Sequence, residues 1–94
     1  MKGGDYIMNA AKITFSNGNV LTVSEDDFLI PVIQYNTSGK PFMGKAEAVE
    51  LYCHIKDSMI PSILDVVAQC DYFYYRENNN IIYNSKAIVS IENI

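Results

Sequence analysis

Apolar and polar residues alternate along most of this chain, and the alternation lapses at residues that favour turns. Ala11-Lys12-Ile13-Thr14-Phe15 has the two-residue period of a strand with one face buried. Ser16-Asn17-Gly18-Asn19 follows, and Asn-Gly tolerates the positive φ that a tight hairpin demands. Val20-Leu21-Thr22-Val23 runs back, Glu25-Asp26-Asp27 turns, and Phe28 to Tyr35 forms a third apolar run. Pro31 has no amide hydrogen to give to a ladder, so this third strand is expected at a sheet edge or beginning after the proline.

Asn36 to Lys45 contains two glycines and a proline and reads as one long loop carrying Phe42 and Met43. From Ala46 to Lys56 the composition suits a helix, but the period does not. Val49, Leu51, Cys53 and Ile55 alternate with Glu50, Tyr52, His54 and Lys56, which predicts a strand. The period changes at Ile60, Ile63, Leu64, Val67 and Ala68, predicting a helix over 61–70 with Pro61 in its first turn. Asp57 and Ser58 are its candidate caps. Tyr72-Phe73-Tyr74-Tyr75-Arg76 returns to strand composition. Glu77-Asn78-Asn79-Asn80 reads as a hairpin turn, Ile81-Ile82-Tyr83 as the returning strand, Asn84-Ser85-Lys86 as another turn, and Ala87 to Ile91 as the last strand. The expected fold is α+β: six or seven short strands in a mostly antiparallel, twisted sheet, covered by one helix.

With 49% hydrophobic and 19% charged residues over 94 positions, the chain has the composition of a single folded domain. Its first seven residues, Met1-Lys2-Gly3-Gly4-Asp5-Tyr6-Ile7, read differently. Lys-Gly-Gly-Asp can be encoded by a purine-rich ribosome-binding sequence just upstream of a start at Met8. That reading makes 1–7 a translated leader, 8–94 the domain, and the source a bacterium or its phage. No apolar run reaches membrane-spanning length, and the two cysteines, Cys53 and Cys70, fall on apolar positions far apart. A cytoplasmic chain with reduced core thiols and no membrane partner is the expectation.

A net charge of −4, with one arginine and scattered lysines, argues against nucleic-acid binding. The acidic run Glu25-Asp26-Asp27 lacks the ligand spacing of a calcium loop, and one histidine with two core cysteines cannot make the usual zinc sets. No phosphate-cradling glycine motif occurs. His54 lacks a nucleophile or carboxylate identifiable as its partner. The chain therefore reads as a non-enzyme without metal or cofactor.

Two constellations remain. In the first, His54, Lys56, Ser58 and Ser62 surround the helix start, where unpaired amides attract anions, although ordinary capping is the plainer account of the serines. In the second, alternation sets Tyr72, Tyr74 and Arg76 on one strand face, suited to stacking on a base or on a partner chain, and cross-strand packing accounts for the tyrosines equally well. Together they suggest a phage-encoded host-defence antagonist that sequesters a nucleotide-like ligand at a subunit interface of a homo-oligomer. The alternatives are an inhibitor of a host protein, contacting it through Phe42 and Met43, or a homo-oligomeric assembly subunit.

Overall fold

The computed structural model describes residues 9–37 and 39–94; the expected leader, 1–7, lies outside them. Eight strands form two antiparallel sheets, one curled into a half-barrel, with a single short helix, so the fold is α+β and mostly β. The three-stranded sheet has the order β2 (Val20–Ser24), β1 (Ala10–Phe15), β8 (Ile88–Asn93). The five-stranded sheet has the order β4 (Lys40–Lys45), β3 (Phe28–Thr37), β6 (Tyr72–Tyr75), β7 (Asn78–Asn84), with β5 (Val49–Glu50) also beside β3. The helix α1 (Ile60–Val67) packs against β3 and β8.

The alternation in β1 works as expected. Ala11, Ile13 and Phe15 are buried, and their paired neighbours Leu21 and Val23 on β2 complete the inner face. Outside, Lys12 meets Glu92 of β8 at 3.4 Å. The Asn-Gly turn closes with Gly18 at φ +89°, and Phe15 donates its amide to the Asn19 carbonyl at 2.9 Å. From the other sheet, Leu29 and Phe73 enter the same core, and Leu51, Met59, Ile63 and Val66 come from α1 and the segment before it. Cys70 is buried in that core and Cys53 lies half-buried against it, both as thiols.

Four local expectations need correction. Asn36 to Lys45 is no loop: β3 and β4 pair from Val32↔Lys45 to Thr37↔Lys40, turning at Gly39 with φ +77°. The proline and glycines masked a strand, because edge strands tolerate both. Conversely, the strand expected over 46–56 shrinks to Val49–Glu50. Leu51 is held by the backbones of Asp26 and Asp27, but the rest of the flank of β3 is already occupied by β4. Alternation cannot build a strand without a free edge to pair with.

Pro31 sits within β3, neither at an edge strand nor ahead of the strand start, and pairs across to Phe73. Its carbonyl accepts from Ala46, on the side where β4 has ended and β5 has not begun. In a strand the N and C=O of one residue point to the same side, so the missing donor falls in that gap and no ladder bond is lost. Finally, the turn before β7 is Arg76-Glu77. Asn78 already pairs with Tyr75, and the asparagines make an irregular stretch of β7.

The β2–β3 corner is built around Asp27. Its Oδ2 accepts from the Ser24 amide at 2.8 Å and from the Tyr75 hydroxyl at 2.9 Å, tying the corner to β6. Burial first, and then the hydrogen bond to Asp27, push the Tyr75 phenol from the ordinary 10 up to about 12. A phenol whose folded value is raised adds stability that is complete below 10 and lost as the pH climbs through about 12. Denaturant titrations across that window should show the wild-type protein losing stability more steeply than Tyr75→Phe; parallel curves would remove Tyr75 from the account.

Candidate functional site

Residues paired directly across an antiparallel ladder point to the same face of the sheet. On the five-stranded sheet this rule separates an inner from an outer surface. Phe73 and Tyr75 turn inward, Phe73 fully buried. Tyr72 and Tyr74 turn outward, paired with Val32 and Ile30 of β3 and with Asn84 and Ile82 of β7. Tyr72 is 40% exposed. Two cations join them on this face. Lys45, opposite Val32, holds its Nζ 4.5 Å from the Tyr74 ring centre, and Arg76 lies over the Phe28 ring with its Cζ 4.3 Å from the centre. Ring quadrupoles attract such cations. The Lys45 Nζ also donates to the Asn79 side chain at 3.5 Å. Tyr72, Tyr74 and Arg76 are therefore brought together, as the alternation implied.

The residues around the helix start form a different cluster. His54 and Ser58 close a tight turn, exchanging backbone hydrogen bonds of 2.6 and 3.0 Å, with Ser58 at φ +59°. His54 Nδ1 accepts from the Lys56 amide at 3.4 Å and lies 3.9 Å from the Asp57 carboxylate, and the imidazole is solvent-exposed. Ser58 is half-buried, its hydroxyl 3.8 Å from the Cys53 thiol. Ser62 is only 1% exposed, and its hydroxyl accepts from the Tyr52 amide at 3.0 Å, so it serves the fold. Neither expected cap operates. Met59 is the N-cap residue and has no capping side chain, while its amide donates to the Asn93 side chain at 3.1 Å. Asn93 in turn donates to the Asp57 carbonyl at 3.2 Å. This fastens the turn to the end of β8, in the three-stranded sheet. Among the described residues, no hydrogen bond or ion pair joins this cluster to Tyr72, Tyr74 or Arg76.

Phe42 and Met43 occupy a third location. β6 accompanies β3 only over Leu29–Val32, whereas β4 pairs with it as far as Thr37. The rest of β3 and β4 runs on as a two-stranded ribbon. On one side Phe42 stacks on Tyr35 with ring centres 5.4 Å apart, and on the other Met43 sits opposite Gln34. Phe42 is 51% and Met43 53% exposed.

Burial raises the Cys70 thiol, keeping it protonated and un-nucleophilic. Tyr52 is tied to the Asp65 carboxylate at 3.0 Å. Among the described residues no three His, Cys, Asp or Glu side chains cluster as metal ligands, and no helix is long and apolar enough to cross a membrane.

Sequence reasoning missed Lys45, Phe28 and Asn93. Lys45 was hidden by reading its strand as a loop, and Asn93 carries no local signal for a bond 34 residues back along the chain. Compared with known proteins, the chain matches no family model, no curated protein and no solved structure.

Asn93→Ala removes the partners of two backbone groups and should cost about 1 kcal/mol, lowering Tm by roughly 5 °C. Ser62→Ala, which strands the Tyr52 amide, should do the same. Thermal unfolding of the two variants checks this; an unchanged Tm in both would mean that the helix start is held elsewhere.

Proposed function

We propose that this chain is a small non-catalytic binding protein whose contact surface is the outer face of the five-stranded sheet, and that its ligand is planar and anionic, of the nucleotide class. One observation supports this above the others: two cations, Lys45 and Arg76, share a face with the outward tyrosines Tyr72 and Tyr74. The exposed Tyr72 ring, with the half-buried Tyr74 beside it, offers stacking to any base, typically about 1–3 kcal/mol per base. Cations held beside them supply a phosphate with charge at fixed positions, and the arginine fork adds bidentate hydrogen bonds. His54, Lys56 and Ser58 belong to a separate cluster, so the phosphate-holding role passes to Lys45 and Arg76. The face is open, and a second surface would be needed to enclose a ligand, which suits capture between subunits.

A second reading has its own support. The ribbon formed by the ends of β3 and β4 exposes Phe42 and Met43 beyond the body of the sheet, and large apolar side chains in such a position are typical anchors for a partner protein. On this reading the chain is an inhibitor or adaptor of a host protein.

Calorimetric titration with cyclic and ADP-ribose-type nucleotides tests the first reading. Tyr74→Ala should weaken binding about tenfold, and a Lys45→Ala, Arg76→Ala double variant should abolish it. Undiminished affinity in these variants, or no binding of any nucleotide, would exclude this surface. For the second reading, a Phe42→Ala, Met43→Ala variant should lose a host protein retained by the wild-type chain; equal retention would exclude the ribbon.

A further inference from the structure

The five-stranded sheet ends on two free edges that differ in chemistry. β4 carries Lys40, Pro41 and Lys45 on its edge. Proline and lysine are the residues that keep one edge strand from pairing with another. β7, the opposite edge, reads Asn-Asn-Asn-Ile-Ile-Tyr-Asn, with no charge, proline or glycine. Ile81 and Ile82 are 44% and 48% exposed there. Beside β7 runs a groove of about 240 Å³, bounded across from Ile82 and Tyr83 by Phe15 and Asn17.

The ladder identifies the backbone groups at this edge. Ser85 donates its amide to the Asp71 carbonyl at 2.9 Å, in register with Tyr72↔Asn84 and Phe73↔Tyr83. Hydrogen-bonded and non-bonded pairs alternate in an antiparallel ladder, so Tyr83 bonds to β6, and Ile82 and Asn84 direct their N–H and C=O groups away from it. Among the described residues, neither amide has a backbone acceptor.

We infer that β7 pairs antiparallel with β7 of a second copy of this chain, continuing the sheet across a two-fold axis. The charges at its ends suit this occupant. Arg76 and Glu77 precede the strand, and Lys86, which meets Asp71 at 3.3 Å, follows it. Antiparallel self-pairing brings the Arg76-Glu77 end of one copy against the Lys86 and Asp71 end of the other, so both ends are balanced in charge and each cation has an anion across the seam. The same operation on β4 sets Lys40 against Lys45. On β2, the neutral edge of the other sheet, it sets Asn19 against Glu25 with no cation at either end. Pairing through β7 also makes the outer faces bearing Tyr72 and Tyr74 contiguous, but it does not depend on what those faces bind.

Analytical ultracentrifugation and amide exchange, both without ligand, test the inference. The wild-type protein should be a dimer. The Ile82 and Asn84 amides should exchange more slowly as protein concentration rises, while β4 edge amides stay unchanged. Ile82→Pro removes a donor that β6 does not use, so it should retain the wild-type circular dichroism and sediment as a monomer. A wild-type monomer across the concentration range would overturn the inference. So would exchange at Ile82 and Asn84 that does not respond to concentration, whatever the proline variant does.

Discussion

Within the shared core, three stacked aromatic rings join the two sheets at one junction. Phe15, at the end of β1, lies 5.0 Å from Tyr83 of β7 and 6.5 Å from Phe73 of β6, and those two rings are 5.5 Å apart. Each such pair adds about 0.5–1.5 kcal/mol beyond its burial, but the geometry matters more than the sum. Phe15 is the one ring that the three-stranded sheet contributes to the stack, and Phe73 and Tyr83 come from the five-stranded sheet. Backbone bonds from Ser16 to Ala87 and from Ser85 to Asp71 close the same junction. The junction fixes which side of β6 faces inward, and hence which tyrosines face out.

That choice settles the surface chemistry. With Phe73 and Tyr75 committed to the core and to Asp27, alternation leaves Tyr72 and Tyr74 nowhere to go but outward. Lys45 and Arg76 then lie over the rings of Tyr74 and Phe28, because the negative face of an aromatic ring attracts a cation. The proposed binding face is thus a by-product of how the core is closed, and a change at Phe73 would disturb it without touching it.

Much of the fold was legible in the sequence because period and turn chemistry are local signals. The Asn17-Gly18 hairpin, the inward set of β1 and the split of Tyr72 and Tyr74 from Phe73 and Tyr75 all follow from alternation and positive φ. The misreadings were of another kind. Whether Lys40–Lys45 is a strand depends on a free flank of β3, and whether 51–56 is one depends on that flank being taken. Competition for an edge is a property of the folded chain. The same holds for the site: Lys45 reaches Tyr74 only through pairing across β3, and Ser62 turns inward because the Tyr52 amide needs an acceptor.

Pro31 divides one flank of β3 into two lengths of ladder. On one side of it lie β5 and the corner around Asp27; on the other lies β4 with its ribbon, and the single Ala46-to-Pro31 bond stands between. Hydrogen-bonded ladders open cooperatively only as far as they are continuous. A proline placed at the break makes it permanent, since no slip of register can supply the missing donor. On the other flank β6 runs straight past the proline, from Leu29 to Val32. The two lengths are thus joined through β3 and β6 and not along their own side, so a substitution in the ribbon has no unbroken ladder on its own flank by which to disturb the Asp27 corner.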